Sequence, residues 1–397
     1  MQKRIVWVLI AALMLGLTTT AMAAELGSQP VSIVLWHSMS EDAGVLMEKF
    51  VSDFNETVGK ELNITVESVF QGKYSDATAK MNSILTAEDY NSLPDVMQID
   101  ATGKIAYATS GVAYTIDDVL ASGIEYDLSQ IMTSPLLTWK YAGVQLGLPF
   151  SASTTVMYYN KTMLDQAGAK VPETFADIAA LAALLPKTTA DGQPIYALAT
   201  QPNTPTLGNW LGQMGSYVVN NANGTGGSAT ALDCIDNGAL ETFLTEWKAM
   251  YDAGALLNQS SGTTDMFVAG QLALLPTSSS NTASLLGKIG DSFELGIAYY
   301  PKVNAEASFG ATISGAGVFM FNKGDELKKA AAWELMKYLT SAEVQAEFSV
   351  GTGYLPVNTG SVDTEVYQAM IAKTPMAAVT MDQVAATPAE MQSVTVG

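Results

Sequence analysis

Arginine is almost missing from this chain of 397 residues: Arg4 is the only one. Its planar guanidinium is the preferred bidentate partner of phosphate and carboxylate groups. Acidic residues number 39 against 19 Lys plus Arg, and the formal net charge is −20. A chain of this kind is poorly suited to nucleic acid, anionic membrane or phosphorylated ligands, which leaves neutral polyols or sugars, or cations. There is one cysteine and one histidine. Cys234 has no intramolecular disulfide partner and reads as a small core residue. Zinc and other sites ligated by nitrogen and sulfur are excluded. Ser–His–Asp catalysis would have to use His37, and no G-x-S-x-G elbow surrounds a serine. After the N-terminal segment, no apolar run reaches the ~20 residues of a membrane-spanning helix.

The N-terminal segment is a secretion leader in pattern. Lys3 and Arg4 form a basic region, Ile5 to Leu17 an apolar one, and Ala21-Met22-Ala23 a small-x-small cleavage site. No cysteine lies near that site, so a freely diffusing periplasmic protein is expected, mature from about residue 24. The rest alternates strand and helix signals, which predicts an α/β fold. Val31–Trp36, Ile64–Phe70 and Pro94–Ile99 read as short buried strands. Tyr74 opens a helix through Ala87, Thr174 is an N-cap, and Ala239–Tyr251 and Leu327–Leu339 are amphipathic helices. The Asn/Gly/Ser-rich stretch Asn220–Thr230 reads as an exposed loop.

The most specific stretch is PFSASTTVMYYNKTMLDQAG, Pro149 to Gly168. Thr154 to Tyr159 are mostly β-branched or aromatic and predict a strand; Asn160 turns the chain, and a short helix ends at Gly168. This segment resembles the crossover between lobes in the bacterial extracellular solute-binding proteins of family 1. Further motifs resemble the family in order: WHSM (Trp36–Met39), QGKY (Gln71–Tyr74), LPDVMQID (Leu93–Asp100), FVAGQLALLPTSSS (Phe267–Ser280), ISGAGVFMF (Ile313–Phe321) and GTGYLPV (Gly351–Val357).

The resemblance implies a two-lobe periplasmic-binding-protein fold of type II, with a ligand cleft between lobes joined by hinge strands. It places lobe 1 at 24–151 plus about 303–353 and lobe 2 at 152–302 plus about 354–397. Crossovers are expected near Ser151–Val156, Ala298–Val303 and Gly353–Val357. The implied protein is a monomeric substrate-binding component of an ATP-driven importer. It captures a small-molecule ligand, a neutral saccharide or polyol, without a cofactor or metal, and delivers it to a membrane permease. Glycerol 3-phosphate or its diesters are the alternative ligands. A glycosidase needs only two carboxylates, so a secreted glycoside hydrolase is a weaker alternative; a purely structural envelope protein is a third.

Sugar recognition calls for short polar groups at the hydroxyls and aromatic planes at the C–H faces. Tyr74, Ser153, Ser278, Ser279, Gly315 and Tyr354 fall at matching positions in the resembling motifs. The two tyrosines would cover or hydrogen-bond the ligand, the serines would meet hydroxyls, and Gly315 would admit a backbone amide. Asp100 would grip two hydroxyls, in place of the family's glutamate at the position of Ala101. Trp36 and His37, ending the first strand, are expected at the cleft, as is Trp210; Trp247 and Trp333 are expected in the core. The family's phosphate-binding arginine has no counterpart here, and family members usually extend a few tens of residues past the position of Gly397.

Overall fold

The computed structural model describes residues 26–224 and 226–387. The expected leader and its cleavage site near Ala23 lie outside them, as does the end of the chain. The strands, in order, are β1 (Val31–His37), β2 (Ile64–Phe70), β3 (Val96–Asp100), β4 (Ala113–Tyr114), β5 (Lys140–Tyr141), β6 (Val144–Gln145), β7 (Leu148–Asn160), β8 (Tyr196–Ala199), β9 (Leu256–Leu257), β10 (Leu272–Ser278), β11 (Leu295–Ala298) and β12 (Ile313–Phe321). Helices separate most of them. The chain forms two compact units. Unit 1 holds the residues up to Ser151, Gly315–Gly351 and Val357–Ser361; unit 2 holds Ala152–Ser314, Thr352–Pro356 and the residues from Val362.

In unit 1, β1 pairs in parallel with β2 along its whole length, from Val31 opposite Ile64 to His37 opposite Phe70. On its other side β1 pairs in parallel with β3, and β12 closes against β3 antiparallel, Ala316 opposite Asp100. Parallel strands are covered on both faces and therefore read as apolar runs. Ala77, Met81 and Ile84 of the helix Tyr74–Ala87 share a core cluster with Trp36, Met97 and Ile99. Helices Glu41–Glu56 and Glu326–Leu339 pack on β2 and β1, where Ile33 and Leu35 are buried too.

In unit 2, β7 runs antiparallel to both β10 and β11, while β8 lies parallel to β10 and β9 parallel to β8. The period of two along β7 splits its side chains between two cores. Met157 joins Phe175, Trp210, Phe243, Met250 and Tyr300, whereas Val156 and Tyr158 join Phe267, Leu275, Leu285 and Ile297. The Asn160 carboxamide accepts from the Met163 amide at 2.9 Å and so caps the next helix, and Gly168 takes φ +62° beyond its end. Thr174 caps helix Phe175–Leu181 in a reciprocal box with Asp177. In the stretch Asn220–Thr230, read as loop, Asn221 and Ala222 take φ +56° and +52°, outside the right-handed helical region, and the buried Asn223 side chain accepts from the Val218 amide.

The return of the chain to unit 1, expected near Ala298–Val303, falls at Ser314–Gly315, inside β12. The reason is the pairing of β11 with β7: Ile297 opposite Tyr158 and Ala298 opposite Met157 hold that stretch in unit 2. The segment Thr352–Pro356 is a brief excursion into unit 2, where Leu355 bridges Ala152. The chain then rejoins unit 1 before its last helices return to unit 2.

Gly317 of β12 sits where no side chain fits. A Cβ there would stand 2.5 Å from the Trp139 ring and 2.7 Å from the Leu148 carbonyl oxygen. Gly317→Ala is expected to lower the unfolding free energy by about 1–3 kcal/mol, the usual cost of overpacking. Urea denaturation followed by tryptophan fluorescence checks this, and an unchanged midpoint would contradict the packing described.

Candidate functional site

Because β1, β2 and β3 are parallel, their carboxyl ends lie on one edge of unit 1, the edge where open α/β sheets bind ligands. His37, Phe70 and Asp100 end the three strands. The turn after β2 depends on Gly72, at φ +81°, where a Cβ would come within 2.8 Å of the Asp76 carboxylate. That carboxylate accepts from the Lys73 amide at 3.0 Å and starts the helix on which Tyr74 is the first residue. The half-buried Tyr74 hydroxyl accepts from Gln98 Nε2 at 3.1 Å, and Gln98 Oε1 accepts from the Ser38 amide at 3.0 Å. One buried glutamine thus fixes both the tyrosine and the turn after β1. Asp100 is half-buried at the end of β3, across from Ala316 and next to Gly315, which takes φ +150°.

Two residues expected to face a ligand at this edge turn their side chains inward. Trp36 is buried in the unit 1 core, and the Lys80 ammonium lies 3.9 Å from its ring centre while donating to Gln71 Oε1. A strand inside a parallel sheet has no exposed face, so an aromatic side chain near its end turns into the core. His37 is buried as well. Its Nε2 lies 3.0 Å from Glu48 Oε1, which also accepts from Ser68 Oγ, and its ring tilts against the exposed Phe70. Burial pulls the His37 pKa below its usual value, and the Glu48 hydrogen bond and charge oppose this only in part. Lys104, in the helix following Asp100, is fully buried and donates to the Thr138 carbonyl; burial lowers its pKa to about 8.

Unit 2 has a second polar edge. The carboxyl end of β10 meets the early part of β7 because the two run antiparallel, with Ser278 opposite Thr155. Ser279 Oγ accepts from the Thr154 amide at 3.3 Å, and Thr154 Oγ1 donates to the Ala311 and Thr312 carbonyls, each at 3.3 Å. Ser153 Oγ lies 3.4 Å from Ser314 Oγ, and Ser278 Oγ 2.9 Å from Ser280 Oγ. Asn209 Oδ1 accepts from both the amide (2.7 Å) and the hydroxyl (2.6 Å) of Thr312, and Asn209 Nδ2 points at Thr155 Oγ1. Gly353, at φ +80°, brings the chain against the Ser280 carbonyl, where a Cβ would stand at 3.3 Å, and presents the half-buried Tyr354 next to it. Burial raises the Tyr354 phenol pKa, so the hydroxyl stays protonated at neutral pH.

Ser153, Ser278, Ser279 and Tyr354 are therefore brought together on unit 2, and Tyr74, Asp100 and Gly315 on unit 1. Trp210, expected in the cleft, is fully buried in the unit 2 core. It stacks on Tyr300 and Phe243, and its Nε1 donates to the Pro301 carbonyl at 3.2 Å. Gln98, Asn209 and Thr312 are polar elements that the motifs did not single out. Gln98 had a signal, a lone polar residue inside the apolar strand VMQID. Among the described residues no group of His, Cys, Asp and Glu could hold a metal ion, and no helix is long and apolar enough to cross a membrane.

A family model described as bacterial extracellular solute-binding protein matches residues 49–375. The sn-glycerol-3-phosphate-binding periplasmic protein UgpB of Escherichia coli K12 is 24% identical over 375 residues, covering 92% of this chain and 82% of that protein. Among solved structures, UgpB from Mycobacterium tuberculosis in complex with glycerophosphocholine superposes with a TM-score of 0.74 at 23% identity, covering 91% of this chain and 87% of that one. The cyclic α-maltosyl-1,6-maltose binding protein from Arthrobacter globiformis gives 0.73 at 20% identity, over 90% and 88% of the two chains. MalE from Xanthomonas citri gives 0.72 at 21%, over 92% and 87%. At these identities the solved structures establish the fold, a mixed α/β two-lobe architecture of type II.

The His37 environment has a pH consequence. Its folded pKa is depressed, so its contribution to stability is present above the unfolded value of 6.5 and is lost as pH falls through the folded one. The wild type is expected to lose stability as pH falls below about 6.5. Relative to it, His37→Gln should show a flatter profile in urea melts over that range. Parallel profiles for the two proteins would mean that the imidazole is not held neutral.

Proposed function

We propose that this chain, which belongs to the bacterial extracellular solute-binding proteins, is the capture component of an ATP-driven importer and takes a neutral carbohydrate or polyol. The observation that carries this is the composition of the two polar edges. Tyr74, Asp100 and the Gly315 backbone on one unit, and Ser153, Ser278, Ser279 and Tyr354 on the other, are hydroxyl, carboxylate and amide groups, the complement of sugar hydroxyls. Neither edge carries an arginine, because the chain has none beyond Arg4. In this reading each unit lends its edge to one bound solute, the lobes close by hinge motion through the chain crossings, and the loaded form is handed to a membrane permease. The protein is secreted, with its leader removed near Ala23, and acts as a monomer without catalysis.

Glycerol 3-phosphate or one of its diesters is the second reading. It is favoured by the glycerol 3-phosphate and glycerophosphocholine that the UgpB relatives bind and by Lys80, an exposed cation that lies over Trp36 beside the unit 1 edge. Phosphate charge removed from water must be met by cations or several oriented amides. Lys73 and Lys80 are the lysines that flank Tyr74 most closely in the chain.

Calorimetry separates the two readings. Saturable, turnover-free binding of one or more neutral saccharides is expected, with Tyr354→Ala weakening it about tenfold or more and Lys73→Ala much less. A ligand present at 100 times its Kd should also add about 2.7 kcal/mol of stability in a thermal-shift assay. Tight glycerol 3-phosphate binding with no response to neutral sugars would overturn the sugar reading. Hydrolysis of glycosides by the purified protein would overturn the receptor reading.

A further inference from the structure

Helix Ala239–Asp252 of unit 2 carries two apolar stripes. Ala239, Phe243, Trp247 and Met250 form the first and are buried in the core. Leu244 and Tyr251 form the second, seven residues apart on the outward side and 51% and 56% exposed, while Leu240, one turn before Leu244, is partly buried against the core. A helix serving only a globular core carries one such stripe and is polar elsewhere. The neighbouring turn Asp233–Asp236 adds Ile235 at 55% exposure, and Leu232 just before it is 49% exposed. Between the two elements runs an open groove of about 490 Å³ lined by Ile235, Leu240, Glu241, Leu244, Thr245 and Lys248. Ile235, Leu240 and Leu244 thus gather apolar side chains in one groove instead of scattering them singly, the pattern of an interaction site.

The charges around the groove select its occupant. Glu241 lines it, and Asp233 and Asp236 flank Ile235 on the adjoining turn. The cation in the lining, Lys248, is paired with Asp252. A second copy of this chain would bring the same acidic rim and a net charge of −20 to the contact, which opposes self-association. Anionic lipid is repelled for the same reason. A helix with leucine-like residues on one face and lysines or arginines beside them satisfies both the apolar floor and the acidic rim.

We propose that this groove is a docking site for a cationic amphipathic helix of a partner protein. The site shares no residue with the solute-binding edges and does not rest on the identity of the solute. The probe is an 18-residue peptide of leucine and lysine, with leucines at i, i+3, i+4 and i+7, titrated into the isotope-labelled full chain. Its counterpart with glutamate in place of lysine is the control. The lysine peptide is expected to shift amide resonances of residues 232–252 selectively. Its affinity should fall about tenfold in Leu244→Ser and in Ile235→Ser, both exposed sites whose variants should keep the wild-type thermal midpoint. The glutamate peptide should not bind. Shifts spread over the acidic surface, or equal affinity for both variants and the wild type, would overturn the proposal. So would a dimer in sedimentation, or cosedimentation with phosphatidylcholine vesicles, that Leu244→Ser abolishes.

Discussion

The backbone ladder of β7 is the constraint on which most of unit 2 depends. Thirteen residues long, it pairs antiparallel with β10 on one side and β11 on the other, so its register sets theirs. A slip of one residue would exchange Met157 and Tyr158 between two cores that differ in shape. The Tyr158 hydroxyl reinforces the register: it lies 2.7 Å from Thr282 Oγ1 and donates to the Ser278 and Ser279 carbonyls. The same register brings Thr155 opposite Ser278, and so the polar edge is a by-product of the hydrophobic fit. At its start β7 also serves unit 1, where Ser151 Oγ accepts from the Ala316 amide at 3.1 Å.

Both polar edges are preorganised by buried amides more than by charge. Gln98 holds Ser38 and Tyr74, Asn209 holds Thr312, and Gln383 Nε2 donates to the Thr155 carbonyl at 2.8 Å. A buried amide offers donor and acceptor together and pays no ionic desolvation. Such a scaffold suits a neutral ligand, whose hydroxyls likewise donate and accept. The acidity of the chain lies mostly elsewhere, on exposed helices, where it keeps the protein soluble and sets which partners can approach.

Much of this was legible in the letters. The β-branched and aromatic run before Asn160, the cap it makes and the stop at Gly168 are local chemistry, and local chemistry is what a sequence displays most directly. The four core positions of helix Ala239–Asp252 follow from periodicity in the same way. Trp210 was not read correctly, although the spacing of Leu207, Trp210, Leu211 and Met214 has the period of a buried helix face. Its polar surroundings suggested a place in the cleft, and the tertiary contacts with Tyr300 and Phe243 that bury it come from distant parts of the chain. The position of the return in β12 was hidden for a similar reason: it depends on which strand β11 chooses as a partner, and no local signal records that choice.

The interleaving of the two units has a consequence for the order in which the molecule can be built. β3 receives its antiparallel neighbour from β12, whose Ala316 is opposite Asp100 although more than half the chain separates them in sequence. Contacts of such long range are slow to form, because a large loop must close before any of them is rewarded. Until β12 has been synthesised, one side of β3 has no strand to bond with, and the nascent N-terminal third cannot complete its sheet. A chain emerging from the ribosome thus stays incompletely folded for most of its synthesis, and the last strand of unit 1 sets the moment at which that unit can close.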